Sequence, residues 1–276
     1  MINFKQLGLG ALGRNSIKTI YTGLKAFDEA TDGLVSGRLY VVSAASGCGK
    51  TTLLTSIMAE AAIRNHEKKF LFIATEQTAA EIQVKLLANR SGVSTYELQH
   101  WDDLPWETHE LLERYNNQLD NVWFEYYDSA DFNLEQCLED AYAQGIEYVF
   151  YDYLGAIANL DDSKEWRSLE MLTDKLKRWA TTHNTFVFTA TQCSNDIKTL
   201  KTEPEIYDER FIANSKGIAR KADVGFVMVR HNDGLGGSKK HIYLDMYKNR
   251  NMESPKRLSL VVDYARNRVT DEVKLF

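Results

Sequence analysis

The chain has 276 residues, is 44% hydrophobic and carries a formal net charge of -6; that is enough apolar material for one large α/β domain behind a short leading arm. It contains no run of the ~18 consecutive apolar residues that a membrane span needs, and Met1 to Lys5 does not begin a signal peptide. Cys48, Cys137 and Cys193 are odd in number and widely spaced, which argues against a disulfide framework or a zinc site.

The total charge conceals an asymmetry. Between Glu97 and Glu170 there are 19 acidic residues against 3 basic ones, whereas between Asp196 and Arg257 there are 13 Lys or Arg against 9 acidic residues. A polyanion is repelled by the first surface and tolerated by the second. The acidic stretch reads as an ordinary solvated face, and the basic excess is too small to point to nucleic acid by itself.

In chain order, Met1 to Asn15 is broken by Gly and Asn and has little periodicity, so residues 1–21 are expected to form an arm or linker. From residue 22 to 276, short apolar runs alternate with amphipathic helical patterns, the signature of a parallel sheet covered by helices. Strands are expected at Leu39 to Ser43, Phe70 to Ala74, Val122 to Tyr127, Tyr148 to Asp152, Thr185 to Ala190, Val224 to Val229, His241 to Tyr247 and Arg257 to Val262. The last two follow the loop His231 to Gly237 and should form an antiparallel edge. Thr78 with Glu81, and Ser94 with Glu97, have capping-box form. The first opens a helix to about Asn89. Asn133 can cap a helix over Leu134 to Ala143 with Gly145 beyond it, and Ser168 to His183 repeats apolar residues at Leu169, Leu172, Leu176 and Trp179.

The segment Ala44 to Thr51 lies between the first strand and a helix-like stretch, where a phosphate-binding loop belongs. A phosphate chain needs inward-pointing backbone N–H groups, which small residues such as Gly47 and Gly49 allow, together with the charge of Lys50 and the hydroxyl of Thr51 for magnesium. Ser46, Gly47, Cys48, Gly49, Lys50, Thr51 and Thr52 are therefore the expected contacts of ATP or another NTP. Ala44 stands where the motif usually has its first Gly. Asp152 ends an apolar strand as the acid that associates with Mg2+ does in such folds. Glu76 follows the strand Phe70 to Ala74 and is read as the base that polarises the attacking water, with the neighbouring Gln77 a poorer proton acceptor. Gln192 can donate to a γ-phosphate. Arg230, Lys248 and Arg250 either form surface ion pairs or act on phosphate, where an arginine can raise the rate by roughly 10³ to 10⁵.

The order of these segments resembles the DnaB-type replicative helicases, the ring-forming RecA-like motors that include phage primase-helicases and the mitochondrial helicase Twinkle. The resemblance covers about residues 20 to 270. It rests on Thr22 to Asp28 with Gly33-Leu34 and Gly37, the phosphate loop, Ala74-Thr75-Glu76, Tyr151-Asp152-Tyr153-Leu154, Thr191-Gln192, Ser215 to Asp223 and Lys248-Asn249-Arg250. It implies a RecA-like P-loop NTPase with a mostly parallel central sheet flanked by helices. Residue by residue, it implies that Glu76 is the catalytic glutamate, Asp152 the magnesium-associated acid and Gln192 the γ-phosphate sensor. Arg250, with Lys248 beside it, becomes the finger that enters the next subunit's site, and Arg230 the contact to the base. Asn214, Ser215 and Lys216 fall on the loop that faces DNA. Met252 stands where the family usually has Gly, and no counterpart of an amino-terminal primase or collar domain is evident.

The expected function is thus an ATP-driven replicative helicase motor, a homo-hexamer on single-stranded DNA, with a primase or helicase loader as a further partner and no membrane. Its expected place is the cytoplasm of a bacterium or a phage-infected cell. The alternative is a RecA-like recombination or clock-type ATPase that assembles on DNA or protein without unwinding.

Overall fold

The computed structural model describes residues 18–127, 132–155, 165–194, 197, 204–213, 216–231 and 239–272. The expected arm over Met1 to Asn15, the loop residues 232–237 and the candidate DNA contacts Asn214 and Ser215 lie outside them.

The domain is organised by a nine-stranded sheet. Six strands run parallel: β3 (Arg38–Ala44), β4 (Phe70–Ala74), β5 (Val122–Tyr126), β6 (Tyr148–Asp152), β7 (Phe186–Gln192) and β8 (Val224–Arg230). Three more, β9 (Lys239–Asn249), β10 (Lys256–Asp263) and β11 (Arg268–Asp271), extend one edge in antiparallel fashion. The order across the sheet is β11-β10-β9-β8-β3-β7-β6-β4-β5. A separate two-stranded ribbon pairs β1 (Thr19–Ile20) with β2 (Leu34–Val35), so the last residues of the expected arm pack on their own chain.

Side chains along a strand alternate faces, and here both faces are covered, so the central strands read as continuous apolar runs. Tyr40, Val42, Phe70, Phe72, Phe150, Phe188 and Phe226 point to one side. They meet Phe27 of α1 (Lys25–Thr31) and Leu53, Leu54 and Ile57 of α2 (Lys50–Arg64), with Ile82 of α3 (Ala79–Ser91) beside them. Leu39, Val41, Leu71, Ile73, Val149 and Val187 point to the other. There they pack on α6 (Leu134–Ala143), α7 (Glu165–His183) and α8 (Lys216–Lys221), with Leu169, Leu176 and Trp179 of α7 buried as the stripe requires.

Both capping boxes form. Thr78 and Ser94 each accept from the N–H three residues on, and the carboxylates of Glu81 and Glu97 reach back to the cap. They open α3 and the short α4 (Thr95–Gln99), which α5 (Trp106–Asn117) follows before β5. Asn133 caps α6 as its sequence suggests. Strand β7 differs from expectation by running two residues past Ala190, because parallel pairing with β3 continues to Ala44 opposite Gln192.

At the amino edge of the sheet, buried Asp223 ties three elements together. Its carboxylate accepts from the Leu39 N–H at 2.8 Å and pairs with Lys177 of α7 at 2.5 Å and with Arg250 at 3.4 Å. An anion this well enclosed needs such donors, since desolvating an unpaired carboxylate is strongly unfavourable.

Candidate active site

The parallel strands end at one edge, and the pairing aligns those ends. Ala44 lies opposite Gln192 on one side and Met228 on the other, while Ala74 lies opposite Asp152. The register therefore collects the phosphate loop, Glu76, Asp152, Gln192 and Arg230 at the carboxyl edge, where open α/β sheets bind ligands.

The loop turns through left-handed conformations at Gly47 (φ 73°) and Gly49 (φ 101°), which a side chain would resist. Gly49 is also the N-cap of α2 and offers no side-chain acceptor to its first turn. The free N–H groups of that turn and its positive dipole end thus remain available to an anion. The Lys50 ammonium folds back onto the carbonyls of Ala44 and Ala45 at 3.1 and 3.4 Å. Burial lowers its pKa, against the opposing pull of Asp152. Thr51 donates its hydroxyl to the Asp152 carboxylate at 2.5 Å. Ser46 and Gly47 are exposed, and Thr52 is buried in the first helical turn. Cys48 turns away from the cradle: its Sγ lies 3.7 Å from the Met228 carbonyl, and its N–H is bonded to Ala45 within the loop.

Asp152 is only 8% exposed. Burial raises its pKa, opposed by the Thr51 hydroxyl and the Lys50 charge. A carboxyl whose folded pKa lies above its unfolded value favours the folded state most at low pH, and that contribution falls as pH rises through the folded pKa. A buried acid facing a threonine hydroxyl and a lysine at the foot of a phosphate cradle suits a magnesium ion with its triphosphate, and Thr51 and Asp152 are the residues that would hold the metal. It also predicts a trade-off. Asp152→Asn should raise the thermal midpoint of the nucleotide-free protein at pH 8 by roughly 2–4 °C, as about 1 kcal/mol does in a domain of this size. The gain should shrink at pH 5, and magnesium-dependent nucleotide binding should weaken. A midpoint at pH 8 equal to or below the parent's would contradict this account.

Glu76 is exposed just past β4, with Gln77 half-buried after it. Thr75 joins the two strand ends through its N–H and hydroxyl, which donate to the Asp152 carbonyl at 2.9 and 3.0 Å. Gln192 is exposed at the end of β7 and donates to the Tyr153 hydroxyl at 3.2 Å.

A tyrosine that the sequence reading passed over braces the loop from the far side. Tyr264, in the β10–β11 turn, donates to the Cys48 carbonyl at 2.9 Å. Arg230 donates to the Gly47 carbonyl at 2.8 Å and to Tyr264 Oη at 3.2 Å, with its guanidinium 5.0 Å from the tyrosine ring centroid. A cleft of about 400 Å³ opens beside them, between the loop and Tyr207, Met228 and Val229. Only the fold brings Tyr264 here, and no local motif marks it.

The remaining residues lie elsewhere. Arg250 is half-exposed beside Asp223 at the opposite edge of the sheet. Lys248 donates to the carbonyls of Ala219 and Arg220, both at 2.9 Å, at the carboxyl end of α8. Lys216 is the first residue of that helix.

A phosphate loop between the central strand and a helix, with acids delivered by neighbouring strand ends, defines a RecA-like P-loop NTPase fold. Residues 19–276 match the family model for the DnaB-like helicase C terminal domain. The chain belongs to that family. The replicative DNA helicase DnaB of Mycoplasma genitalium is 28% identical over 230 residues, 80% of this chain and 48% of that protein. DnaB of Mycoplasma pneumoniae is 26% identical over 234 residues with the same coverage. The chain spans about half the length of these curated relatives. Two solved structures share the fold with a TM-score of 0.79 each. One is a DnaB-like replicative helicase described with its interactions with primase, 14% identical and covering 99% of this chain and 67% of that one. The other is described as an ATPase domain, 15% identical and covering 98% of this chain and 99% of that one.

Proposed function

We propose that this domain is the ATP-hydrolysing motor of a replicative DNA helicase and works as a homo-hexameric ring on single-stranded DNA. The observation that carries the reading is the separation of Arg250 from the phosphate loop. Arg250 sits beside Asp223 and hence beside Leu39 at the start of β3, while the loop follows Ala44 at its end. At roughly 3.3 Å per residue, the intervening strand holds the two well over 10 Å apart. An arginine so placed cannot serve its own subunit's nucleotide, but it is exposed and can serve a neighbour's.

Within each site, Lys50 and the loop N–H groups would bind the phosphates, and Thr51 and Asp152 would hold magnesium, which supplies charge neutralisation when bound. Glu76 orients water and accepts its proton, and Gln192 senses the terminal phosphate. Arg230 and Tyr264 flank the base. Asn214, Ser215 and Lys216, leading into α8, are the proposed DNA contacts. The primase named with one structural neighbour, or a loader, is the further partner we propose, in the cytoplasm of a bacterium or a phage-infected cell.

Strand displacement on forked DNA with ATP tests the reading, with Glu76→Gln as the paired variant. That variant should bind ATP as the parent does and lose roughly 10²- to 10⁴-fold in single-turnover hydrolysis, because an amide keeps the size of the carboxylate but accepts no proton. Closed rings in negative stain with displaced strand support the motor. Open filaments without displacement would turn the assignment to a recombinase-type ATPase.

A further inference from the structure

Strand β5 stands last in the sheet and pairs only with β4. The Asn121 carbonyl accepts from the Phe70 N–H at 2.9 Å and the Tyr127 N–H donates to the Ala74 carbonyl at 2.8 Å, so odd-numbered residues turn their backbone groups toward β4. By the alternation of a strand, the N–H and C=O of Phe124 and the N–H of Tyr126 face outward, and among the described residues nothing bonds them. A free edge is a template for a further strand, and proteins usually blunt one with Lys, Pro or a bulge. Val122 to Tyr126 has none of these: its register against β4 runs unbroken, and Tyr126 is exposed.

The two faces beside this edge differ. On the α6 side a cleft of about 470 Å³ is bordered by Trp123, Glu125, Phe132 and Asp140. Glu125 and Asp140 are exposed and make its rim acidic, while the Lys69 ammonium beside Trp123 is committed to the Gln144 carbonyl at 2.8 Å. On the α3 side a smaller cleft of about 200 Å³ is floored by Phe72, Ile82, Leu86, Leu119 and Phe124. Among the described residues, no Lys or Arg lines either cleft. A strand laid along β5 sends successive side chains to opposite faces, so one face suits cations and the other suits apolar groups.

We propose that β5 is the docking edge for an extended segment of a partner protein in which apolar residues alternate with Lys or Arg. Backbone hydrogen bonds to Phe124 and Tyr126 hold the segment, and its apolar side chains enter the α3-side cleft. Its cations lie over Trp123 between Glu125 and Asp140, where an indole face and two carboxylates favour positive charge. The setting agrees in sign: β5 and α6 fall within the stretch from Glu97 to Glu170, with its 19 acidic residues against 3 basic ones.

Titration of the full chain with a synthetic peptide that alternates valine with lysine, read by fluorescence anisotropy, tests this beside a peptide that alternates valine with glutamate. The lysine peptide should bind roughly tenfold or more tightly than the glutamate peptide, because like charges across an interface are repelled. Its binding should raise the hydrogen-exchange protection of the Phe124 and Tyr126 amides. Tyr126→Pro removes only an outward N–H, which edge strands tolerate, and should weaken binding about tenfold. Tyr126→Thr keeps that N–H and should bind within about threefold of the parent. Glu125→Lys should weaken binding about fivefold and flatten its salt dependence. Thermal midpoints near the parent's verify that the variants fold. Undiminished binding by Tyr126→Pro, with no amide protected in the parent, means that charge alone holds the peptide and overturns strand addition. Equal affinity for the two peptides overturns the cationic partner, and no binding by the parent overturns the site. Self-association that Tyr126→Pro abolishes, without peptide binding, assigns the edge to a second copy of this chain and overturns the proposal.

Discussion

Lys50→Ala is expected to lose roughly 10³- to 10⁵-fold in kcat/KM for ATP. About 10- to 100-fold of this reflects the loss of one charge-assisted contact to the phosphates, at about 1.5–3 kcal/mol. The rest reflects the loss of a preorganised cation where charge develops, a donor of the kind that carries about 10²–10³ in kcat. The contacts of Lys50 make this a clean substitution. The hydrogen bonds of Lys50 go to the carbonyls of Ala44 and Ala45, and Asp152 keeps the Thr51 hydroxyl as its donor, so folding should survive. Fluorescent-nucleotide titration and single-turnover hydrolysis measure the two parts, with circular dichroism to verify the fold. Turnover within tenfold of the parent would remove the loop from the active site.

Arg250→Ala should bind ATP about as the parent does and hydrolyse it roughly 10³- to 10⁵-fold more slowly, the range for a finger supplied in trans. Mixing it with Lys50→Ala provides the sharper result. Some interfaces in the mixture pair an intact loop with an intact Arg250, so hydrolysis should reappear that neither variant has alone. It should vanish on dilution below the assembly concentration. Because Arg250 also pairs with Asp223, Arg250→Ala needs a stability control, and Arg250→Lys supplies it by keeping the charge but not the planar fork. If mixed oligomers form and no activity returns, Arg250 serves no neighbour's nucleotide, and the shared site falls with it.

The sequence made the sheet and the loop legible for a physical reason. Strands buried on both faces, such as Phe70 to Ala74 and Tyr148 to Asp152, are continuous apolar runs, and both capping boxes are local chemistry that survives folding. What escaped depends on pairing at a distance. Strands β1 and β2 are two residues each and exist only through each other. Helix α5 buries little beyond Leu112 and leaves Trp106 69% exposed, so its apolar face is too thin to announce itself. Tyr264 carries no motif of its own. Its neighbours Cys48 and Arg230 reach it from other strand ends. The Lys248 side chain, aimed at α8 in this lone subunit, shows how sequence spacing can nominate a functional cation without saying which partner holds it.

That last contact changes how assembly should be pictured. In the isolated chain, Lys248 is held by two helix carbonyls and Arg250 by Asp223. In the proposed assembly a neighbour's triphosphate would compete with partners these cations already have, so docking a next subunit would be an exchange of contacts and not a simple gain. In the proposed ring, that exchange would make closure conditional on a ligand anionic enough to displace the carboxylate. Helix α8 is one of the things released when Lys248 leaves. Filling a neighbour's pocket would therefore loosen, in the donating subunit, the helix that begins at Lys216.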